Sequence, residues 1–410
     1  MPLYPALLTA ACLCLAVLYR TRWRDYSLPA RLARTEKAAG GQPRIAVVIP
    51  TADQGAQLAE NLPDIFAQEY PDFEVIVADE GSTDDTPEVL EALRQQYDNL
   101  RTTSVPATSR YIDRRKLAIA LGIRAAHAPW VVLTRADCAP VSRQWLATLA
   151  RNFTDGTDLV QGYANYADNH TATARRAIYE RLRRHLRIAR SSLAGRPSGA
   201  DGCNIAIRRE AFLEGRGFAK GLTLPFGADD LLADTIGGEG RTALELTESS
   251  TVIQALPERW MLKRRRMYRT ETARHMSRRT RLYRWRESTA SWATYTLSLL
   301  ATAHIAFRVA DILHTGTYAP ANLVWDIPLP VLLAAALLYP VLRLRKSTKT
   351  IGERRFGGSL PWYALMQPWR NWHTRLACRR HRREFVRPIL PPTGLEEAHR
   401  KTAMSRFLTF

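Results

Sequence analysis

The chain has 410 residues, a formal net charge of +20 at pH 7 and a sequence pI near 10.2. That length allows one large domain with appendages or two domains, and the charge calls for an anionic partner: nucleic acid, a membrane surface or an anionic substrate. Five scattered cysteines with no CxxC pair and no His/Cys cluster exclude a disulfide framework and a structural zinc site, and they fit a reducing cytoplasm.

The first apolar run, Leu3 to Tyr19, is followed at once by Arg20, Arg22 and Arg24. A cleaved signal peptide places its positive charge before the apolar run. The reversed order predicts an uncleaved anchor over residues 1–20, its carboxyl end in the cytoplasm, then a linker over 21–43. Arg44 to Pro50, RIAVVIP, reads as a buried strand stopped by Pro50. Between Gln57 and Gln68, Leu58, Leu62, Ile65 and Phe66 fall on one helical face. Glu74 to Thr86, EVIVADEGSTDDT, is a second strand whose β-branched run ends in Asp79 and Glu80. Strand, helix and strand make a right-handed βαβ unit. Its ligand crevice lies outside the carboxyl ends of the strands, where these carboxylates stand.

A helix follows over Pro87 to Tyr97, with Pro87 in its first turn and capping oxygens in Ser82 to Asp85. No GxGxxG marks the first turn, which excludes a dinucleotide-binding Rossmann domain. Lys116 heads a further helical stretch, and Val131 to Cys138, VVLTRADC, is another buried strand ending in charge. Leu224 to Asp234, LPFGADDLLAD, carries two adjacent carboxylates, Asp229 and Asp230, at a helix start. Such a pair serves as an N-cap or as general-base machinery, and repulsion between the two can raise a carboxyl pKa toward the working range.

Arginine and lysine crowd Arg175 to Arg190, Arg259 to Arg286 and Arg370 to Arg387. Ser288 to Phe307 and Leu323 to Leu342 each approach the roughly 20 residues of a spanning helix. Basic flanks at Arg281–Arg286 and Arg343–Lys346, with the nearly uncharged loop HTGTYAPAN between the two runs, predict both flanks in the cytoplasm and the loop outside. Gly358 to Leu376, rich in Trp and Arg and broken by Pro361 and Pro368, suits a membrane interface. Two glycosylation sequons, at Asn152 and Asn169, are chance matches on the cytoplasmic side.

The order of IAVVIPT, FEVIVADEGSTDDT, WVVLTRADC, GADD and an Arg-rich segment, from Arg44 to Arg269, resembles the family 2 glycosyltransferases. The resemblance implies an α/β GT-A fold, a Rossmann-like mixed and mainly parallel sheet flanked by helices, over residues 44–270. With the apolar runs it gives a basic juxtamembrane segment at 271–287, two transmembrane helices within 288–344 and a basic C-terminal region at 345–410. The implied protein sits in the cell inner membrane as a multi-pass enzyme with its catalytic domain cytoplasmic. It is an inverting transferase that moves a sugar from a UDP- or GDP-linked donor to a lipid-linked glycan or polysaccharide acceptor beside membrane lipid.

By the same resemblance, Pro50, Thr51, Asp79, Glu80, Lys116, Arg135, Ala136 and Asp137 line the nucleotide-sugar site. Asp230 is the general base with Asp229 orienting it, and Gly202, Asn204, Lys263 and Arg266 serve the acceptor and diphosphate side. The family carries Asp-x-Asp where this chain reads Arg135-Ala-Asp137. Asp137 alone then holds Mg²⁺ or Mn²⁺, while Arg135 supplies fixed positive charge, pairs with a carboxylate or weakens metal binding. The family's Gln-x-x-Arg-Trp reads Lys263-Arg-Arg-Arg266-Met267, which counts against a long-chain processive synthase. The same departures would fit a catalytically degenerate scaffold or nucleotide-binding regulatory module. A membrane-tethered nucleic-acid binder rests on net charge alone, with no helix-turn-helix or aromatic-interleaved RNA motif, so nucleic acid is not the expected partner.

Overall fold

Residues 41–106, 109, 112–219, 221–238, 240–316, 338, 341–353 and 356–381 are described in the computed structural model. The two apolar runs are parallel neighbours: β1 (Ile45–Thr51), buried throughout, and β2 (Phe73–Asp79), with Thr51 opposite Asp79. Their link is α1 (Gly55–Phe66), which buries Leu58, Leu62 and Ile65. Then come α2 (Thr86–Gln96), with Pro87 in its first turn, and β3 (Leu100–Ser104), parallel to β2. α3 (Arg114–Ala125) is N-capped by Asp113, whose side chain accepts from Lys116 N at 2.9 Å. The chain then returns past β2 to lay β4 (Trp130–Leu133) on the other side of β1.

After β4 come β5 (Cys138–Pro140), α4 (Trp145–Ala150), β6 (Leu159–Gln161), β7 (Ala164–Tyr166) and the long α5 (Ala172–Leu193). β8 (Ile205–Arg208), α6 (Arg209–Glu214), α7 (Ala228–Ile236), β9 (Thr242–Leu244), β10 (Val252–Gln254) and α8 (Arg259–Thr272) complete the domain. The main sheet has the order β3-β2-β1-β4-β8-β6-β9, with β8 antiparallel to both neighbours and the other pairs parallel. A small sheet, β5-β10-β7, lies apart from it.

Period-2 alternation divides each central strand between two cores. Ile45, Val47, Ile49, Val75, Val77 and Val132 pack in a cluster with Leu58, Leu62 and Ile65 of α1. Ala46, Val48, Ile76, Val131 and Leu133 pack in a second cluster with Ile119 and Ile123 of α3 and Leu232 and Ile236 of α7. The strand order reverses between β1 and β4, so a crevice opens at their carboxyl ends. The expected mixed, mainly parallel sheet flanked by helices is the fold observed.

Of the described residues, 41–277 and 373–381 form one compact unit and 278–372 another. The second unit contains α9 (Arg278–Thr315) and the first part of α10 (Leu360–Arg380). Among the described residues, no helix is long and apolar enough to cross a membrane. The span expected at Ser288–Phe307 does form helix within α9, but its Ser, Thr and Tyr residues and His304 keep the stretch too polar. The expected span Leu3–Tyr19 and nearly all of Leu323–Leu342 lie outside the described residues.

Candidate active site

Strand ends and turns place the first group of side chains. Thr51 closes β1 fully buried, and its Oγ1 has no hydrogen-bond partner among the described residues. Pro50 beside it is likewise buried. Asp79 closes β2 and turns back on its own loop, accepting from Ser82 N at 2.9 Å and from Ser82 Oγ at 2.6 Å. Glu80 N donates to Thr51 O at 2.8 Å, which ties the two strand ends together. Burial raises the Glu80 carboxyl above its ordinary range, against the pull of Arg115, Arg135 and Arg114 and with help from Asp113. Gly81 is required here: its φ is +94°, and a Cβ would meet Arg114 Nη2 at 2.2 Å. Arg114 Nε in turn donates to the Glu80 carbonyl.

Lys116 does not join this group. Its side chain is 0% exposed, and Nζ donates to the carbonyls of Gly221 (2.7 Å), Leu224 and Phe226 (2.8 Å). Three acceptors take all three ammonium hydrogens. The expected nucleotide contact is therefore an internal clamp on the loop that leads into α7, and burial lowers the Lys116 pKa to about 8.

Beyond β4, Arg135 and Asp137 flank the buried Ala136. Arg135 Nη2 donates to Asp229 Oδ2 at 2.8 Å, and the Asp229 side chain keeps 18% exposure. Burial pulls the Asp229 carboxyl upward, but Arg135 and Arg115 outweigh it and hold the group below the ordinary carboxylate range. Asp230, one residue on, is 3% exposed; it accepts from Arg184 Nη2 at 2.5 Å and from Ala200 N at 3.2 Å. The Asp229 carboxyl is thus not raised as the adjacency of the pair predicted, and each of the two carboxylates faces its own arginine. Gly199 and Gly202 make room for them. A Cβ at Gly199 would meet Asp230 Oδ1 at 2.2 Å, and one at Gly202 would meet Asp229 Oδ1 at 2.2 Å.

Under Asp230 lies a buried ionic network absent from the sequence expectations. Arg181 Nε and Nη2 donate to Asp201 at 2.8 and 2.9 Å, its Nη1 donates to Gln254 Oε1 at 2.7 Å, and its guanidinium lies 4.5 Å from the Tyr166 ring centroid. Arg184 also reaches Asp201 at 3.6 Å. Gln254, at the end of β10, donates from Nε2 to both oxygens of Asp137, at 2.9 and 2.7 Å. Arg265 approaches Asp137 at 3.9 Å. Arg181 and Arg184 are buried on a helix that also buries Ile178, Leu182 and Leu186, and an arginine is buried only with a partner.

Other expectations are revised. Arg266 pairs with Glu180 at 3.1 Å, so the arginine that approaches Asp137 is its neighbour Arg265. Lys263 is partly buried on the same helix, and burial, with Arg259 and Arg266, lowers its pKa. Asn204 is fully buried, donating to Tyr163 O and Ser250 O at 2.7 and 2.6 Å and accepting from Trp145 Nε1 at 3.1 Å. It fastens β8 to its surroundings and cannot reach an acceptor. Met267 packs with Phe226 and Cys378 in a small core.

The side chains around Asp137 do not fit a divalent cation. Asp137 is a lone carboxylate whose oxygens already accept from Gln254, with Arg265 behind it and Arg135 in place of a second acid. Among the described residues no group of three or more His, Cys, Asp or Glu could hold a metal. Hard cations take several oxygen ligands and bind poorly amid guanidinium charge.

The strand order, the reversal at β1/β4 and the acidic helix start define a GT-A-type α/β domain. Residues 46–216 match the family described as Glycosyl transferase family 2. The glycosyltransferase AglE of Haloferax volcanii is 26% identical over 157 residues, 37% of this chain and 50% of that protein, so the chain matches about half the length of this curated relative. Among solved structures, the mannosyltransferase PcManGT of Pyrobaculum calidifontis, in complex with GDP-Man and Mn²⁺, is 22% identical with a TM-score of 0.49 over 82% of this chain and 97% of that one. TarS of S. aureus with UDP-GlcNAc is 12% identical with a TM-score of 0.41 over 82% and 92%.

Proposed function

We propose that the protein transfers a sugar from a nucleotide-sugar donor to an acceptor hydroxyl, with inversion at the anomeric carbon. The observation that carries this reading is the placement of Asp229: a partly exposed, ionised carboxylate at the start of α7, bonded to Arg135 at the carboxyl end of β4. The base role expected of Asp230 passes to Asp229, because Asp230 is enclosed with Arg184 and Ala200. In the reaction the acceptor oxygen attacks the anomeric carbon as the bond from that carbon to the diphosphate oxygen breaks. The acceptor proton passes to Asp229, and the diphosphate leaves with the bonding electron pair. Thr51, Asp79 and Glu80 face the nucleoside, and the fixed charges of Arg135, Arg115 and Arg265 stabilise the leaving group.

The donor is UDP- or GDP-linked. The acceptor is a lipid-linked glycan or growing polysaccharide at the cytoplasmic face of the cell inner membrane. The apolar runs Leu3–Tyr19 and Leu323–Leu342 with their basic flanks support this location, as do the exposed Trp285, Leu299, Phe307 and Trp362. A degenerate scaffold is the second reading, favoured by the ion pair that occupies Asp229. The deciding experiment follows diphosphate release from a panel of UDP- and GDP-sugars by the full-length protein with a panel of lipid-linked acceptors. Release by the wild type that Asp229→Asn abolishes supports the transferase. Nucleotide binding without turnover on any acceptor supports the scaffold.

A further inference from the structure

The crevice edge after β4 carries positive charge where a bound divalent cation needs negative charge. Arg135 stands at the place of the first acid of Asp-x-Asp. Its Nη2 is fixed on Asp229 at 2.8 Å, while its Nε is buried with no hydrogen-bond partner among the described residues. Asp137, the remaining acid, is covered by Gln254 and approached by Arg265 at 3.9 Å. Arg115 adds further positive charge, close enough to lower the pKa of both Glu80 and Asp229. A guanidinium offers five N–H donors in a rigid fork and binds phosphate oxygens in pairs.

We infer that Arg135, with Arg265 beside Asp137, binds the donor's diphosphate directly and takes the place of the divalent cation. The inference rests on the glycosyltransferase reading and specifies how its donor site works. The ligand is a nucleoside diphosphate, whose charge competes with Asp229 for the Arg135 fork. Donor binding therefore draws the guanidinium from Asp229 and leaves that carboxylate able to take the acceptor proton. When the sugar–phosphate bond breaks, the electron pair rests on a diphosphate oxygen that faces guanidinium, and no further reactant is consumed.

The test is calorimetric titration of full-length, detergent-solubilised protein with UDP and with GDP, once in EDTA and once in excess Mn²⁺. At least one nucleotide is expected to bind with a Kd that differs less than about threefold between the two conditions. Arg135→Ala is expected to weaken that binding about tenfold or more, with no rescue by Mn²⁺. Wild-type binding that requires Mn²⁺ overturns the inference and leaves the glycosyltransferase reading standing, as does an Arg135→Ala protein that binds as tightly as wild type. Absence of binding to either nucleotide in both buffers, by protein with an intact unfolding transition, overturns inference and reading together. If Arg135→Ala does not fold, the wild-type comparison of EDTA with Mn²⁺ decides alone.

Discussion

Asp229 and Asp230 are adjacent in sequence, yet their substitution by asparagine has opposite consequences. Asp230 is 3% exposed and lies 2.5 Å from Arg184, itself only 8% exposed. Removing one partner of a buried ion pair costs about 3–5 kcal/mol, because the other charge is left uncompensated. Asp201 stays within 3.6 Å of Arg184, which places Asp230→Asn at the lower end, near 3 kcal/mol. For a domain of this size that lowers Tm by about 6–12 °C. Asp229 is more exposed and its partner Arg135 keeps other carboxylates nearby, so Asp229→Asn costs about 1 kcal/mol or less. Thermal and urea unfolding of the two variants, beside Arg184→Met and the double variant Arg184→Met/Asp230→Leu, measures the difference. The double variant should recover most of the loss, since apolar groups of similar volume replace a buried pair well. If Asp230→Asn unfolds like wild type while activity disappears, Asp230 is not a structural ion-pair partner and its role in the chemistry returns.

Lys116→Met removes the buried donor shared by the carbonyls of Gly221, Leu224 and Phe226, of which Gly221 still accepts from Leu224 N; a loss of about 3 kcal/mol is expected in urea denaturation, with nucleotide affinity of the folded fraction unchanged. His185 is buried and its pKa is lowered to about 4, chiefly by burial and partly by Arg184 and Arg181, against Asp201. The folded state keeps it neutral while the unfolded chain takes up a proton below pH 6.5. Stability therefore falls between pH 6.5 and about 4, by about 3 kcal/mol from this group, and His185→Phe should flatten the urea midpoint across that window. Gly122 brings α3 against the central strand, where an alanine Cβ would meet Val48 Cγ1 at 2.5 Å. Gly122→Ala should destabilise by about 1–3 kcal/mol despite its better helix propensity, seen as a lower urea midpoint.

The parallel half of the sheet was legible because IAVVIPT and FEVIVAD are uninterrupted apolar runs, and only strands buried on both faces need such runs. The positions of Thr51, Asp79 and Glu80 followed, since they stand at the ends of those strands, as did Arg135 and Asp137 just beyond β4. Helical sites were less legible. Successive helix residues point about 100° apart, so the choices between Asp229 and Asp230, or between Arg265 and Arg266, depend on what packs against α7 and α8. Pattern alone does not supply that. Lys116 was misread for a related reason: its acceptors lie more than a hundred residues away, on the loop before α7. The buried arginines of α5 were hidden by the basic composition around them, in which most arginines are exposed or partly so. The expected span within α9 was judged on length and charge, while its interleaved hydroxyl and aromatic residues lower the mean hydropathy.

The central claim, that Asp229 takes the acceptor proton, is tested most directly by rapid-quench measurement of single-turnover transfer with saturating donor and acceptor. Wild type, Asp229→Asn and Asp230→Asn would be compared at matched folded concentration. Asp229→Asn should bind donor at least as tightly as wild type and transfer about 10²–10⁴-fold more slowly, while the folded fraction of Asp230→Asn keeps most of its rate. Transfer by Asp229→Asn at the wild-type rate would contradict the assignment.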